Sequence, residues 1–253
     1  MNEMLANYLA ARDYGKITEA AVAFVRDWFA ENGKDAKAVI GISGGKDSSV
    51  VAALCVRALG KERVVGVLMP RGEQADIDVS RRLVRFLGIQ SHEINVGGGY
   101  DGIMDAIRAQ GIVPGRQAEI NLGPRVRMAT LYAVAQCVNG RVSNNGNASE
   151  RYVGYFTKYG DGAGDFAPLA NLTVSEVRLV GSCLGLPDEF TLKPPADGLT
   201  GLTDEDNLGF SYETLDSYIL TGVCEDPAAK EAIDRRHAAN AFKLRPIPTF
   251  EFK

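Results

Sequence analysis

Histidine is scarce in this chain: His92 and His237 are the only two in 253 residues, a thin basis for any imidazole mechanism. Cys55, Cys137, Cys183 and Cys224 are widely spaced and form no CxxC pair, which argues against zinc ligation or a disulfide frame and for reduced, mostly buried thiols. No apolar run approaches the length of a membrane span. The first sixteen residues lack a basic region followed by an apolar core, so neither a membrane association nor a signal peptide is expected, and a cytoplasmic location is. An excess of positive charge is also missing. Lys and Arg number 28 against 32 Asp and Glu, a net charge of -4 that argues against a general nucleic-acid binder. Internal repeats and low-complexity segments are absent. What remains is ordinary for a globular protein, 45% hydrophobic and 24% charged. The length suits one large α/β domain spanning 1–253 and leaves no room for a second full enzyme beside it.

The most informative stretch runs from Ala38 to Gly60. Ala38 to Ile42 is a short apolar run with β-branched residues, the pattern of a parallel strand covered on both faces. Val50, Val51, Leu54, Cys55 and Ala58 recur at helical spacing. Between them lies Ser43-Gly44-Gly45-Lys46-Asp47-Ser48, where paired glycines let a ligand approach the main chain and the helix N-terminus attracts an anion. It is not a Walker A loop, because Ile40 stands at the first glycine position and Asp47 follows Lys46. Nor is it GxGxxG, because Ser43 replaces the second glycine. Ser-Gly-Gly-x-Asp-Ser resembles the pyrophosphate-binding loop of the PP-loop ATP pyrophosphatase (N-type) superfamily, whose members cleave ATP between the α and β phosphates. An ordinary strand-to-helix turn would account for the glycines but not for the hydroxyls and carboxylate beside them.

Elsewhere, Ile17 to Glu31 reads as an amphipathic helix with Ile17, Ala20, Ala21, Phe24, Val25 and Trp28 on one face. Arg63 to Met69 reads as a second buried strand, Asp76 to Leu87 as a helix and Gln90 to Val96 as a third strand ended by Gly97-Gly98-Gly99. Tyr100 to Gln110 reads as a helix, residues 111–123 as a loop, and Pro124 to Cys137 as a helix with proline in its first turn. Arg141 to Asn144 is a short strand that leads into the polar loop Asn145 to Glu150. Residues 155–173, rich in glycine and acids, suggest a backbone shaped around something. Val174 to Leu184, Phe210 to Leu220 and Asp226 to Phe242 read as helices, and Lys193 to Asn207 as a mobile flap. The expected fold is α/β, a Rossmann-like doubly wound and mostly parallel sheet with helices on both faces.

Several blocks together resemble ammonia-dependent NAD synthetase: the loop Ser43 to Ser48, Asn121-x3-Arg125-Val126-Arg127-Met128, the run Gly154 to Gly162, Pro168-Leu169, and Thr203 to Tyr212 with Asp216 and Tyr218. The similarity extends from about Ile17 to the C-terminus. It implies an adenine nucleotide alpha hydrolase-like fold and a ligase that adenylates the nicotinate carboxylate of deamido-NAD with ATP. Ammonia then forms the amide, giving NAD, AMP and pyrophosphate. The resemblance also implies ATP binding by Gly41, Ile42, Ser43, Gly44, Gly45, Lys46, Asp47 and Ser48, with Arg71, Gln74 and Asn145. Asp47 and Ser48 fall on its catalytic positions. Deamido-NAD would be bound by Arg125, Lys158, Asp165 and Lys243, and Mg2+ by Asp47 and Glu150. A homodimer is implied, with the apolar faces of 17–28 and 124–137 as candidates for the contact. Glutamine-dependent relatives carry an extra amidase domain, so the length points to free ammonia, or ammonia delivered by a separate protein, as the donor. The chain departs from the family at Val174, where a lysine near phosphate is expected and Lys46, Lys193 or Arg178 could substitute. It departs also at Asn145, at Phe242 beside Lys243, and at Pro195-Ala196. The alternatives are another PP-loop adenylating ligase and a nucleotide-binding relative without catalysis.

Overall fold

In the computed structural model, which describes residues 2–74, 77–192 and 203–252, four short strands pair in parallel in the order β3-β2-β1-β4. Helices α1 (Glu3–Ala10) and α2 (Tyr14–Asn32) precede β1 (Lys37–Gly41), and α3 (Lys46–Leu59), β2 (Val64–Leu68), α4 (Ile77–Leu87) and β3 (Gln90–Glu93) follow it. Next come α5 (Gly97–Ala109), α6 (Arg116–Cys137), β4 (Gly140–Val142) and α7 (Ala148–Val153). The chain continues through α8 (Val174–Cys183), α9 (Asp188–Thr191), α10 (Asp204–Leu208), α11 (Tyr212–Thr221) and α12 (Pro227–Asn240).

Strand alternation sorts the core onto two faces. Ala38 and Ile40 of β1 pack with Val25 and Phe29 of α2, Val51 and Leu54 of α3 and Val177 of α8. Val39, between them in sequence, packs instead with Val65, Val67 and Val142 and with Met128 and Leu131 of α6. Each fully buried aliphatic side chain contributes roughly 1.5–3 kcal/mol. A strand covered on both faces has no polar side to present, which is why these runs are continuously apolar. A third cluster, with Val153, Val174, Leu208, Tyr212 and Leu215, joins α7, α8, α10 and α11.

The strand order determines where a ligand site can form. From β1 the chain moves outward through β2 to β3, then returns to place β4 on the other side of β1. The carboxyl ends of β1 and β4 therefore flank a topological switch point, the place where open α/β sheets bind ligands. The loops that leave those two strands are 42–45 and 143–147.

The expected doubly wound fold is present, with differences in detail. Gly97, Gly98 and Gly99 open α5 rather than ending a strand, and β3 stops at Glu93. Residues 116–123, expected as loop, form the first turns of α6, so Pro124 lies inside a helix and not in its first turn. A proline there forfeits one ladder bond. Packing on both sides of the break holds the helix together: the Tyr100 hydroxyl donates to the Glu119 carbonyl at 3.0 Å, and Pro124 is seated against Gly160. On α2 the buried positions are Tyr14, Thr18, Val22, Val25 and Phe29, which turns Ala20 and Phe24 outward. Of the four thiols only Cys55 is buried; Cys137 and Cys183 are exposed. Of the expected flap, 193–202 lies outside the described residues, and 203–207 belongs to a helix whose capping box joins Thr203 to Asp206.

Candidate active site

The loop between β1 and α3 is built around one left-handed residue. Gly44 has φ +75°, and a Cβ there would lie 2.9 Å from Ser80 Oγ and 3.1 Å from the Ser80 backbone nitrogen of α4. Gly45, by contrast, has φ -86°, which any residue adopts. The hydroxyls brace the turn: Ser43 N–H donates to Ser48 Oγ at 3.3 Å, Gly45 N–H to Ser43 Oγ at 3.2 Å, and Ser48 Oγ to the Gly45 carbonyl at 3.1 Å. Gly45 caps α3 without any side-chain hydrogen bond, so the first-turn N–H groups are aimed outward with the positive end of the helix dipole. This is an anion cradle. Substituting Gly44→Ala is expected to cost roughly 1–2 kcal/mol from the left-handed backbone, a fall in Tm of about 5 °C. The same variant should weaken ATP binding at least about tenfold; calorimetric titration and thermal unfolding check both.

The loop after β4 meets this cradle. Asn145 Nδ2 donates to the Gly41 carbonyl at 3.0 Å while its Oδ1 accepts from the Ser143 hydroxyl at 2.8 Å, so it staples the ends of β1 and β4 together. Asn147 caps α7 through a capping box: its Oδ1 accepts from Glu150 N–H at 3.0 Å, and its own N–H donates to Glu150 Oε2 at 3.3 Å. Its Nδ2 donates to Asp47 Oδ1 at 3.0 Å. One asparagine thus bridges the two carboxylates expected to hold metal.

Lys46 completes the cluster. It is 2% exposed, and its Nζ lies 2.8 Å from Asp47 Oδ2. Burial opposes its charge, but the nearby Asp47 and Glu150, with Asp204 adding less, more than offset this and raise its pKa. Its ammonium also sits 5.4 Å from the centre of the Tyr212 ring, and the Tyr212 hydroxyl donates to Asp204 Oδ2 at 3.2 Å. Burial, followed by repulsion from Asp47, pushes the Glu150 carboxyl up to about 8. Two oxygen ligands whose negative charges oppose each other beside a phosphate cradle suit a hard divalent cation, which takes carboxylates together with phosphate and water. Among the described residues no cluster of three or more metal-ligating side chains occurs, so two protein carboxylates are what this site offers.

The other expected residues fall into three places. Arg125 Nε donates to the Lys158 carbonyl at 3.4 Å, Lys158 Nζ to the Phe242 carbonyl at 3.4 Å, and Lys243 Nζ to the carbonyls of Gly154 at 2.7 Å and Phe156 at 3.0 Å. These three cations therefore gather around segment 154–158. Asp165 lies at the end of β4, where Oδ2 accepts from Val142 N–H at 2.7 Å and Oδ1 from the Tyr132 hydroxyl at 3.1 Å. Gln74 lines an open cavity of about 350 Å³ with Pro70, Ile77 and Asn95, whereas Arg71 stacks 3.5 Å over the Tyr100 ring. Val174 is fully buried in the third apolar cluster, and its N–H donates to Ser149 Oγ at 3.0 Å. Of the possible substitute cations, Lys46 is the one among the carboxylates; Lys193, like Pro195-Ala196, lies outside the described residues. Sequence reasoning missed Asn147, Asp204 and Tyr212 as members of the site. For Asn147 a signal existed, the Asn-x-x-Glu spacing of a capping box.

A family profile described as NAD synthase matches residues 17–248. The NH(3)-dependent NAD(+) synthetase of Finegoldia magna is 34% identical over 242 residues, covering 95% of this chain and 98% of that protein. Two solved structures align over 95% of this chain and 100% of their own. The NMN synthetase from Francisella tularensis has a TM-score of 0.87 at 31% identity, and the NH3-dependent NAD synthetase from Campylobacter jejuni, in complex with the nitrate ion, 0.75 at 32%.

Proposed function

The chain belongs to the NAD synthase family, and from that membership we propose that it is an ATP-dependent ligase that amidates deamido-NAD with ammonia. The observation that carries the reading is the junction at the switch point. There the Ser43–Ser48 cradle and the Asp47 and Glu150 carboxylates, bridged by Asn147, face one place. Ammonia as the nitrogen donor is supported by the names of the relatives.

In the proposed mechanism a nicotinate carboxylate oxygen attacks the α-phosphorus of ATP, the bond to the β-phosphate oxygen breaks, and pyrophosphate leaves. Ammonia then attacks the acyl carbon, loses a proton and expels AMP. Main-chain N–H groups of Gly44 and of 46–48 hold the departing pyrophosphate, and the Ser43 and Ser48 hydroxyls brace the turn that aims them, so charge develops against dipoles that are already oriented. Asp47 and Glu150 would hold Mg2+, whose chemistry at this place is to neutralise charge on the phosphate oxygens. Arg125, Lys158 and Lys243 provide cations for the phosphates of deamido-NAD, with Asp165 held beside Val142 of β4. Arg71, Gln74 and Asn145 border the ATP side. We extend the reading to one synthetase domain over 1–253, to a cytoplasmic location and to a homodimer. Phe24, 44% exposed on the outer face of α2, and Val113, 90% exposed before α6, support the dimer.

A second substrate reading is favoured by one observation, the TM-score of 0.87 to an NMN synthetase. The test therefore supplies ATP, Mg2+ and ammonium with either deamido-NAD or nicotinate mononucleotide and quantifies amide product, AMP and pyrophosphate. Equal yields of all three with a higher kcat/KM for deamido-NAD support the proposal. A preference for the mononucleotide replaces the substrate, and no amide from either overturns the ligase reading.

A further inference from the structure

Lys46 is an unusual residue to find at the first position of the cradle helix. A main-chain cradle needs only a backbone N–H at that position, so its side chain could point anywhere. Instead the four-carbon stem is buried and the ammonium is delivered 2.8 Å from Asp47 Oδ2, where the charges of Asp47, Glu150 and, less strongly, Asp204 favour it. Burying an ammonium is costly unless it is paired, and here it is paired with the oxygens expected to serve as metal ligands. Asp47 has one oxygen hydrogen-bonded by Asn147 Nδ2 and the other by Lys46 Nζ; each oxygen keeps a further lone pair, but a dication coordinated there would repel the Lys46 ammonium beside it, and that repulsion is relieved by the donor that can move. Asn147 is locked in place as the cap of α7, whereas a lysine side chain has four rotatable bonds and can swing.

We propose that Lys46 is a resident cation that pairs with Asp47 and balances the charge of the neighbouring Glu150, is driven from Asp47 when a divalent cation binds, and then contacts the polyphosphate of ATP. The identities of the anion and of the metal ion rest on the ligase reading; the metal-binding measurement below requires no turnover. The arrangement also ties the cradle to α10 and α11, because the Tyr212 ring lies 5.4 Å from the same ammonium and the Tyr212 hydroxyl donates to Asp204. Displacement of Lys46 therefore alters the contact between the cradle and these helices, which directly follow the segment 193–202.

The test exploits opposite signs. K46M removes the competitor for the carboxylates and, with it, the cation for the phosphate. Electron paramagnetic resonance at pH 8 should show Mn2+ binding to K46M, without nucleotide, about tenfold tighter than to the parent. Calorimetry with saturating Mg2+ should show ATP binding about tenfold weaker, each effect corresponding to one charge-assisted hydrogen bond. K46R keeps the charge and should bind Mn2+ within about threefold of the parent. A variant that is merely damaged loses both affinities, and that result overturns the proposal, as does Mn2+ binding unchanged in K46M. Should K46M fail to fold, the 15N-lysine-labelled parent decides. Its buried ammonium signal is expected to shift on adding Mg2+ alone, and an unshifted signal at saturating Mg2+ overturns the proposal. Formation of NAD by the parent enzyme stands or falls separately, so loss of this inference leaves the ligase reading untouched.

Discussion

Replacing Asp47 with asparagine is expected to lower kcat about a thousandfold, equivalent to roughly 4 kcal/mol of transition-state stabilisation. The shape barely changes, so the effect isolates charge. Both carboxylate oxygens now accept hydrogen bonds, from Asn147 Nδ2 at 3.0 Å and Lys46 Nζ at 2.8 Å. An amide offers one acceptor and one donor, so one of those partners faces an N–H and the site loses a unit of negative charge beside the metal. Lys46 keeps Glu150 and Asp204 as neighbours, so the stability loss should stay below the roughly 3–5 kcal/mol typical of an orphaned buried charge. Turnover at saturating ATP, with thermal unfolding as the control, checks this. A kcat within tenfold of the parent would contradict the role given to Asp47.

Glu150→Gln is expected to separate function from fold more sharply. Glu150 is the third helical residue in the capping box of α7, and a glutamine oxygen accepts the Asn147 N–H as well as a carboxylate does. Burial and Asp47 raise the pKa of the Glu150 carboxyl to about 8 in the folded protein. A carboxyl whose folded pKa lies above its unfolded value of about 4.3 costs stability at every pH above that value, in full once pH passes the folded pKa. At pH 7.5 the glutamine variant should therefore unfold at or above the parent's Tm. Activity should move the other way, falling about a hundredfold with a higher Mg2+ concentration needed for half-maximal rate. If the variant turns over like the parent, the metal assignment at Glu150 is wrong.

The parts of this molecule that were legible in sequence are those that local pattern determines. Continuous apolar runs at 38–42 and 63–69 identified buried parallel strands because both faces are covered, and Ser43 to Ser48 exposed its chemistry because the glycines and hydroxyls act within six residues. The errors came where tertiary packing overrode local rules. Pro124 marks a helix start by propensity, yet α6 runs through it because Tyr100 and Gly160 support the break. The three glycines 97–99 read as a terminator, and the fold uses them as the first turn of α5. Site residues followed the same division. Asp47 and Glu150 were found by resemblance, whereas Asn147, which bridges them, acts across 100 positions of sequence and shows its role only once β4 lies beside β1. Lys46 was legible as a loop residue; its burial among three carboxylates depended on α7 and α10, which no local pattern around residue 46 encodes.

The central claim is that a carboxylate oxygen of the substrate becomes bonded to the α-phosphorus held beside the cradle. Deamido-NAD labelled with 18O in both nicotinate carboxylate oxygens tests it directly, with AMP and NAD analysed by mass spectrometry after one round of reaction with ATP and ammonium. Adenylation followed by aminolysis predicts one 18O in AMP and one in the new amide. Unlabelled AMP formed alongside NAD would contradict the account.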